Sequence, residues 1–334
     1  MDIKAFRIYF IAALFLTAAL ASGGFLYFSN KNSSKISPGS QTSKNLEAQP
    51  PKTPDLEASL PSEVKLLFLG DIMLDRWIRQ VAEKKGYDFV FGDTDNILKD
   101  SDLVIGNLEG PITNNESRSK NTEFGIRENL TFTFTPETAA VLNKHNIKLV
   151  NLGNNHILNF GENGLEQTKR YLDEASIKYF CDSGNPELRI ANYELQGLKI
   201  VFVCYNQFEK EGVKRAERDI REVKGKADIV ILYTHWGKEY ETSILPIIRM
   251  LGHKFIDSGA DLIIGSHPHV VQEKEIYNGK TIYYSLGNFI FDQYFDPNAA
   301  KGLAVKVVIN PNGNMQFTEY QIQMKNNGQT ILEK

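Results

Sequence analysis

Short apolar runs alternate along this chain with stretches of helical spacing, and side chains able to bind metal or move protons collect where the runs end. Five runs predict strands: Val64–Leu69, Leu103–Ile105, Ile147–Leu152, Ile229–Tyr233 and Leu262–Ile264. Between them, Asp75–Lys85, Pro136–Asn146, Gly164–Ala175 and Ser243–Ser258 predict helices. Pro136 suits a first helical turn. Leu165, Thr168 and Leu172 share one face of their segment, while Ile247, Ile248, Leu251 and Phe255 recur at helical spacing. Thr281–Ser285, Gly302–Ile309 and Met315–Met324 predict later strands, the last two joined as a hairpin at Asn312-Gly313. Strand alternating with helix gives a layered α/β class, with an antiparallel portion near the C-terminus.

Each of the first five runs leads into a polar cluster: Gly70-Asp71, Asn107-Leu108-Glu109, Asn154-Asn155-His156, His235-Trp236-Gly237 and Gly265-Ser266-His267-Pro268-His269. Ligands of open α/β sheets sit at the carboxyl ends of strands, so these clusters are expected to converge on one site. Four of the six histidines lie in them. Carboxylate, amide and imidazole donors from several strand ends point to a two-metal centre. Such centres hold their ions roughly 3.5–4 Å apart and activate a water for in-line attack at phosphorus.

Taken singly, the clusters leave alternatives open. Asp71 suits a cation or a helix N-cap. Glu109 suits a cation or a surface turn, and Asn107 a ligand or a turn former. In Asn154-Asn155-His156 an amide oxygen can ligate while the imidazole acts as general acid; the bland reading is a hydrogen-bonded loop. His235 beside Trp236 is a ligand or a packed amphipathic pair. His267 and His269, two apart in an extended segment, would point the same way, and imidazole suits Zn, Mn, Fe and Ni. Ser285 ends the Thr281–Ser285 strand and Asn288 follows it; with Asn107 and Asn154 they are expected to orient ligands or meet substrate, the alternative for Ser285 and Asn288 being a strand that leads to a tight turn. His145 and His253 fall in helical stretches and read as ordinary surface or partly buried residues.

The N-terminus changes the picture of where this site works. Ile8 to Phe28 carries no charge, and as a helix would be about 31 Å long, enough to cross a bilayer core. Lys4 and Arg7 precede it as a cytoplasmic flank. The expectation is a cytoplasmic tail over 1–7, a signal-anchor over 8–28, a flexible linker over 29–62 and a folded domain over 63–334. The competing reading is secretion after cleavage near Ala19-Leu20-Ala21. The linker is rich in Ser, Lys, Pro, Gln and Asn, too polar to fold alone. Net charge is only −3 with no dominant basic patch, so no nucleic-acid partner is expected. The full phosphate-binding Gly-x-x-x-x-Gly-Lys-Ser/Thr motif and a Gly-x-Ser-x-Gly elbow are both absent from the sequence. Cys204 lies in the apolar run Lys199–Tyr205 and reads as a small buried hydrophobe; a disulfide to Cys181 is the alternative.

In order, Gly70-Asp71-Ile72-Met73, Asn107-Leu108-Glu109-Gly110, Asn154-Asn155-His156 with Gly161, His235-Trp236-Gly237 with Glu239-Tyr240, Gly265-Ser266-His267-Pro268-His269 and Ser285-Leu286-Gly287-Asn288-Phe289 resemble the CapA family of capsule synthesis, also called the poly-γ-glutamate biosynthesis family. The resemblance spans roughly Val64 to Asp292. That family looks like a branch of the calcineurin-like metallophosphoesterases, which implies a four-layer α/β/β/α sandwich with a dinuclear site between loops. Carried over by motif, Asp71, Glu109, Asn155, His235, His267 and His269 would be ligands of two divalent ions (Mn, Zn or Fe), and His156 the general acid. Glu109 would stand where a bridging aspartate is usual. Two positions depart from the pattern: Met73 stands where a histidine is usual, and Asn159 where an aspartate follows the Asn-Asn-His motif. The family role implies assembly or export of poly-γ-glutamate at a bacterial membrane, with polymer synthase or export subunits as partners and an anionic polymer or phosphoester as substrate. A non-catalytic accessory subunit is the second expectation, and a tethered solute-binding protein a weaker third.

Overall fold

Val64–Ile72 forms the first strand, β1, buried on both faces. Its alternation feeds two cores: Leu66 and Phe68 enter one, Leu67 and Leu69 the other. The computed structural model describes residues 62–118, 129–182 and 185–333, all within one compact unit. The expected tail and anchor and all but the last linker residue lie outside the described residues. Among the described residues, no helix is long and apolar enough to cross a membrane.

Two sheets organise the unit. In the first, β1 lies beside β2 (Leu103–Leu108), β3 (Ile147–Asn151) and β4 (Lys178–Phe180), all parallel. In the second, β5 (Ile190–Leu195) pairs antiparallel with β6 (Leu198–Asn206), which runs parallel to β7 (Ile229–His235) and then β8 (Leu262–Ser266). A hairpin of β9 (Lys274–Tyr277) and β10 (Lys280–Tyr283) closes that sheet, with β10 parallel to β8. Short β11 (Asn288–Ile290) returns to pair with β1. Antiparallel β12 (Lys301–Ile309), β13 (Met315–Met324) and β14 (Thr330–Leu332) extend the first sheet beyond β1. The expected hairpin turn forms, with Gly313 N–H donating to Asn310 O at 2.8 Å.

Helices cover the outer faces. One cluster packs α1 (Arg76–Lys85), α2 (Tyr87–Phe91), α3 (Asp95–Lys99), α4 (Glu137–Lys144) and α5 (Gly161–Glu174) on the first sheet. Another packs α6 (Gly212–Val223) and α7 (Pro246–Ser258) on the second. Between the sheets lie Phe68, Ile105, Leu149, Phe202, Ile231 and Ile264. The result is a mixed α/β molecule built on two sheets.

Three expectations change. Asp75 flanks α1 rather than beginning it, and its side chain makes no cap: Oδ2 accepts from Thr133 N–H at 3.0 Å. Cys204 is not a free buried hydrophobe. It forms a disulfide with Cys181, Cα–Cα 5.6 Å, because the residue just past β4 and the C-terminal part of β6 meet there. His145 is more than an ordinary residue: it is buried, stacked on Phe91 and placed between Asp88 and Asp95.

Candidate metal centre

Parallel pairing brings the carboxyl ends of β1, β2 and β3 to one edge of the first sheet, and those of β7 and β8 to one edge of the second. Along β7, Ile229, Ile231 and Tyr233 face the inter-sheet core, so His235 falls on the same side by alternation. Asp71 gets there differently. Leu67, Leu69 and Ile72 all join the outer cluster, so the alternation slips by one between Leu69 and Ile72. The ladder shows register shifts on either side of Asp71, and such bulges re-aim side chains. The next strand seat is tight: a Cβ on Gly70 would stand 2.0 Å from Gly287 O.

Asn107 is the hub. Its Nδ2 donates to Asp71 Oδ1 at 2.8 Å, and its Oδ1 accepts from Asn151 Nδ2 at 3.0 Å and Asn154 Nδ2 at 3.1 Å. Asn154 also donates to Leu108 O at 2.8 Å and accepts from His156 N–H at 3.0 Å, which pins the loop that carries Asn155 and His156. With their amides so engaged, Asn107 and Asn154 position the donors.

The donors meet around His269. Asp71 Oδ2 is 3.1 Å from His269 Nδ1 and accepts from His267 N–H at 3.2 Å. Glu109 Oε1 lies 3.4 Å from His269 Nε2 and 3.9 Å from His156 Nε2. Asp71, Glu109 and His269 form one buried group whose donor atoms lie within 4.8 Å of one another; Glu239, His267 and His269 form a second. His235 Nε2 is 2.8 Å from Asn155 Oδ1, and its Nδ1 is 3.1 Å from Ser266 Oγ. The His235 and His267 rings are 4.6 Å apart. The His-Pro-His segment is not extended. His267 and His269 take φ of 97° and 60°, a left-handed region rarely used by histidine. Backbone strain of this kind gathers at functional sites.

Among the described residues, two of the buried side-chain atoms without a hydrogen-bond partner, Glu109 Oε1 and His267 Nδ1, lie in this cluster. Buried polar atoms are rarely left so, and a carboxylate oxygen with an imidazole nitrogen is the donor mixture borderline divalent cations take. The residues therefore fit the expected metal.

Burial and mutual charge govern the titration of the cluster. Burial pushes the Glu109 carboxyl well above the usual range; His269 opposes this and Asp71 adds to it. Burial works to lower His269, but Glu109 and Asp71 outweigh it and carry the imidazole up to about 9. Burial, then the His269 charge, brings His267 down to about 3; burial, then His267 and His269, holds His235 well below the usual histidine value. His156 falls to about 4, chiefly through burial, with His269 and Arg76 contributing against a hydrogen bond to Asn159 Oδ1.

Other expected residues fall differently. Ser285 Oγ accepts from Gly287 N–H at 3.1 Å and so serves the turn. Asn288 Oδ1 holds His269 Nδ1 at 3.0 Å. Met73 joins the outer core, its sulfur accepting from Asp75 N–H at 3.1 Å, so no donor replaces the histidine usual at that position. Asn159 Oδ1 lies 3.2 Å from His156 Nδ1 and accepts from Phe132 N–H at 2.8 Å, orienting the ring that packs on Phe132. Gln293 lies outside every motif of the sequence, while Glu239 and Ser266 lie within motifs that give them no role of their own.

Residues 65–293 match the family described as bacterial capsule synthesis protein PGA_cap. The chain belongs to this family. Among its PGA_cap relatives, the PGA biosynthesis protein CapA of Bacillus subtilis (strain 168) is 30% identical over 286 residues, spanning 80% of this chain and 73% of its own. The capsule biosynthesis protein CapA of Bacillus anthracis is 30% identical over 256 residues, spanning 69% of this chain and 60% of its own. A probable polyglutamine synthesis accessory protein of Mycobacterium tuberculosis is 23% identical over 298 residues, 70% of this chain and 76% of its own. In fold, this PGA_cap chain is similar to a solved structure described as a novel phosphatase of Mycoplasma pneumoniae. The TM-score is 0.51 at 14% identity, covering 78% of this chain and 94% of that one.

Proposed function

We propose that this protein is a membrane-anchored, extracytoplasmic metallohydrolase that acts in making, releasing or exporting an anionic capsular polymer of the poly-γ-glutamate type. The names of the two Bacillus relatives support the polymer. The uncharged segment Ile8 to Phe28 supports the anchor. The observation that carries the hydrolase reading is a pair of buried donor atoms without hydrogen-bond partners, Glu109 Oε1 and His267 Nδ1, in two donor groups that share His269. Polymer synthase or export subunits would be its partners.

Asp71, Glu109, Asn155, His235, His267 and His269 would hold the ions. Two divalent ions there supply Lewis acidity toward a phosphoryl or carbonyl oxygen. The chain does the rest. Asn107 and Asn288 fix the carboxylate and imidazole directions. His156, its Nδ1 toward Asn159, turns Nε2 to the side of Glu109 and can pass a proton to a leaving group. It is neutral in the free protein at pH 7; an anionic substrate arriving beside it favours the charged form.

A second reading, a non-catalytic accessory subunit, is favoured by Met73, which withholds an imidazole donor. Metal analysis of the protein purified without added metal or chelator, with His267→Ala as control, separates the two. Near two equivalents, lost in the control, supports the hydrolase and justifies a screen of phosphoesters and γ-glutamyl amides. No metal after reconstitution with Mn or Zn would leave the accessory role.

A further inference from the structure

The turn after β7 brings a carboxylate to the two imidazoles of the His-Pro-His segment. One donor atom each from Glu239, His267 and His269 lies within 4.8 Å of the others. The side chain of Glu239 is exposed, but the turn that carries it is held on both sides. Before it, Gly237 takes a φ of 94°. Its N–H donates to Gln207 Oε1 and its carbonyl accepts from Gln207 Nε2, each at 2.8 Å. After it, Tyr240 N–H donates at 2.8 Å to the carbonyl of Pro268, the residue between the two histidines. The Tyr240 hydroxyl accepts from Gln293 Nε2 at 3.0 Å, and Gln293 Oε1 accepts from Asn288 Nδ2 at 3.0 Å. Asn288 is the amide that orients His269. Glu239 and the imidazoles it approaches therefore share one rigid frame.

An independent observation says that a ligand belongs at this place. His267 is only 4% exposed, and its Nδ1 has no hydrogen-bond partner. The donor inventory points to the same need. The buried group of Asp71, Glu109 and His269 offers three protein donors, and Met73, which follows Asp71 by two, turns its sulfur to the Asp75 N–H and packs in the outer core. Glu239 shares His269 with that group and brings a carboxylate to it from the exposed side.

We propose that Glu239 is a metal ligand, forming with His267 and His269 a cation position on the exposed side of the buried Asp71, Glu109 and His269 group. One carboxylate oxygen and two imidazole nitrogens suit a borderline divalent ion such as Zn, Mn or Fe. The inference rests on the metal-centre reading above and adds to it a ligand from the Glu239 turn.

The test compares the full-length protein with Glu239→Ala, Glu239→Gln and His267→Ala. Bound Zn and Mn are measured by equilibrium dialysis with elemental analysis, and affinities by chelator competition. Both Glu239 variants should lose one equivalent, or bind it at least about tenfold more weakly, since removing a direct ligand costs no less than removing a group that only orients one. Melting of the metal-free Glu239 variants should match wild type, because the side chain is exposed. Equal stoichiometry and affinity in wild type and both Glu239 variants, with binding lost in His267→Ala, would overturn the role of Glu239 while leaving the metal centre. Absence of binding in wild type as well would overturn the metal-centre reading and the inference together.

Discussion

Asn288 Oδ1 meets His269 Nδ1 at 3.0 Å while the same amide's Nδ2 reaches Gln293 Oε1 at 3.0 Å, Ala299 O at 2.8 Å and His269 O at 3.2 Å. The ring at the centre of the donor cluster is thus fixed by a residue that is itself fully held. Groups that orient a ligand typically govern 10–100-fold in affinity. Asn288→Ala should weaken metal binding by about that factor, read by chelator competition. It should also cost about 1–3 kcal/mol in urea unfolding, because buried partners are left unpaired.

His156 sits beside the donors without being one of them. Its ring packs on Phe132 at 4.3 Å, and its Nε2 is 3.9 Å from Glu109. His156→Ala should lower turnover of an accepted substrate by about 10²–10⁴, with metal content near normal by elemental analysis. Loss of metal along with turnover would show that the residue holds the site rather than the proton.

The Cys181–Cys204 bridge closes a loop with a sequence separation of 23. A loop of this size is worth roughly 3 kcal/mol in the chain-entropy account. Cys181→Ser with Cys204→Ser should therefore lower unfolding free energy by about that amount in urea. The bridge also packs against the loop that carries Asn155 and His156: a Cβ on Gly153 would stand 2.0 Å from Cys181 Sγ.

Asp88 and Asp95 face His145 from two sides, at 3.1 and 2.5 Å. Lys144, with His145, holds the Asp88 carboxyl below its usual value. Burial raises Asp95, but Lys99 and His145 outweigh it and lower it too. A carboxyl depressed in the folded state contributes stability above its unfolded value, near pH 4, and loses it as pH falls through the folded value. His145→Ala should therefore be destabilised at pH 7, and its deficit against wild type should narrow below about pH 4, as read by urea midpoints across pH.

Much of this protein is legible in order along the chain. Residue period and turn chemistry are local, so the β1, β2, β3, β7 and β8 runs, the α4, α5 and α7 segments and the Asn310–Asn314 turn can be read from the sequence within a few residues. Parallel strands with polar ends also imply that Asp71, Glu109, Asn155, His156, His235, His267 and His269 come together. The face taken by His235 follows from simple alternation with Tyr233.

Tertiary structure decided what depends on distant partners. Asp71 owes its direction to register shifts against β2 and β11. His267 and His269 address one site through left-handed backbone rather than an extended strand. Asn107 became a hub because Asn151 and Asn154 reach it from another strand end, and Ser285 was spent on its own turn. The turn that carries Glu239 is tied to the His-Pro-His segment by the Tyr240 N–H bond to the Pro268 carbonyl. Sequence fixes which donors are available and on which strand end they sit. Whether a donor is saturated, turned away like Met73 or left buried and unpaired is set by neighbours far off in the chain, since hydrogen bonds and packing act over a few ångströms of space regardless of sequence separation.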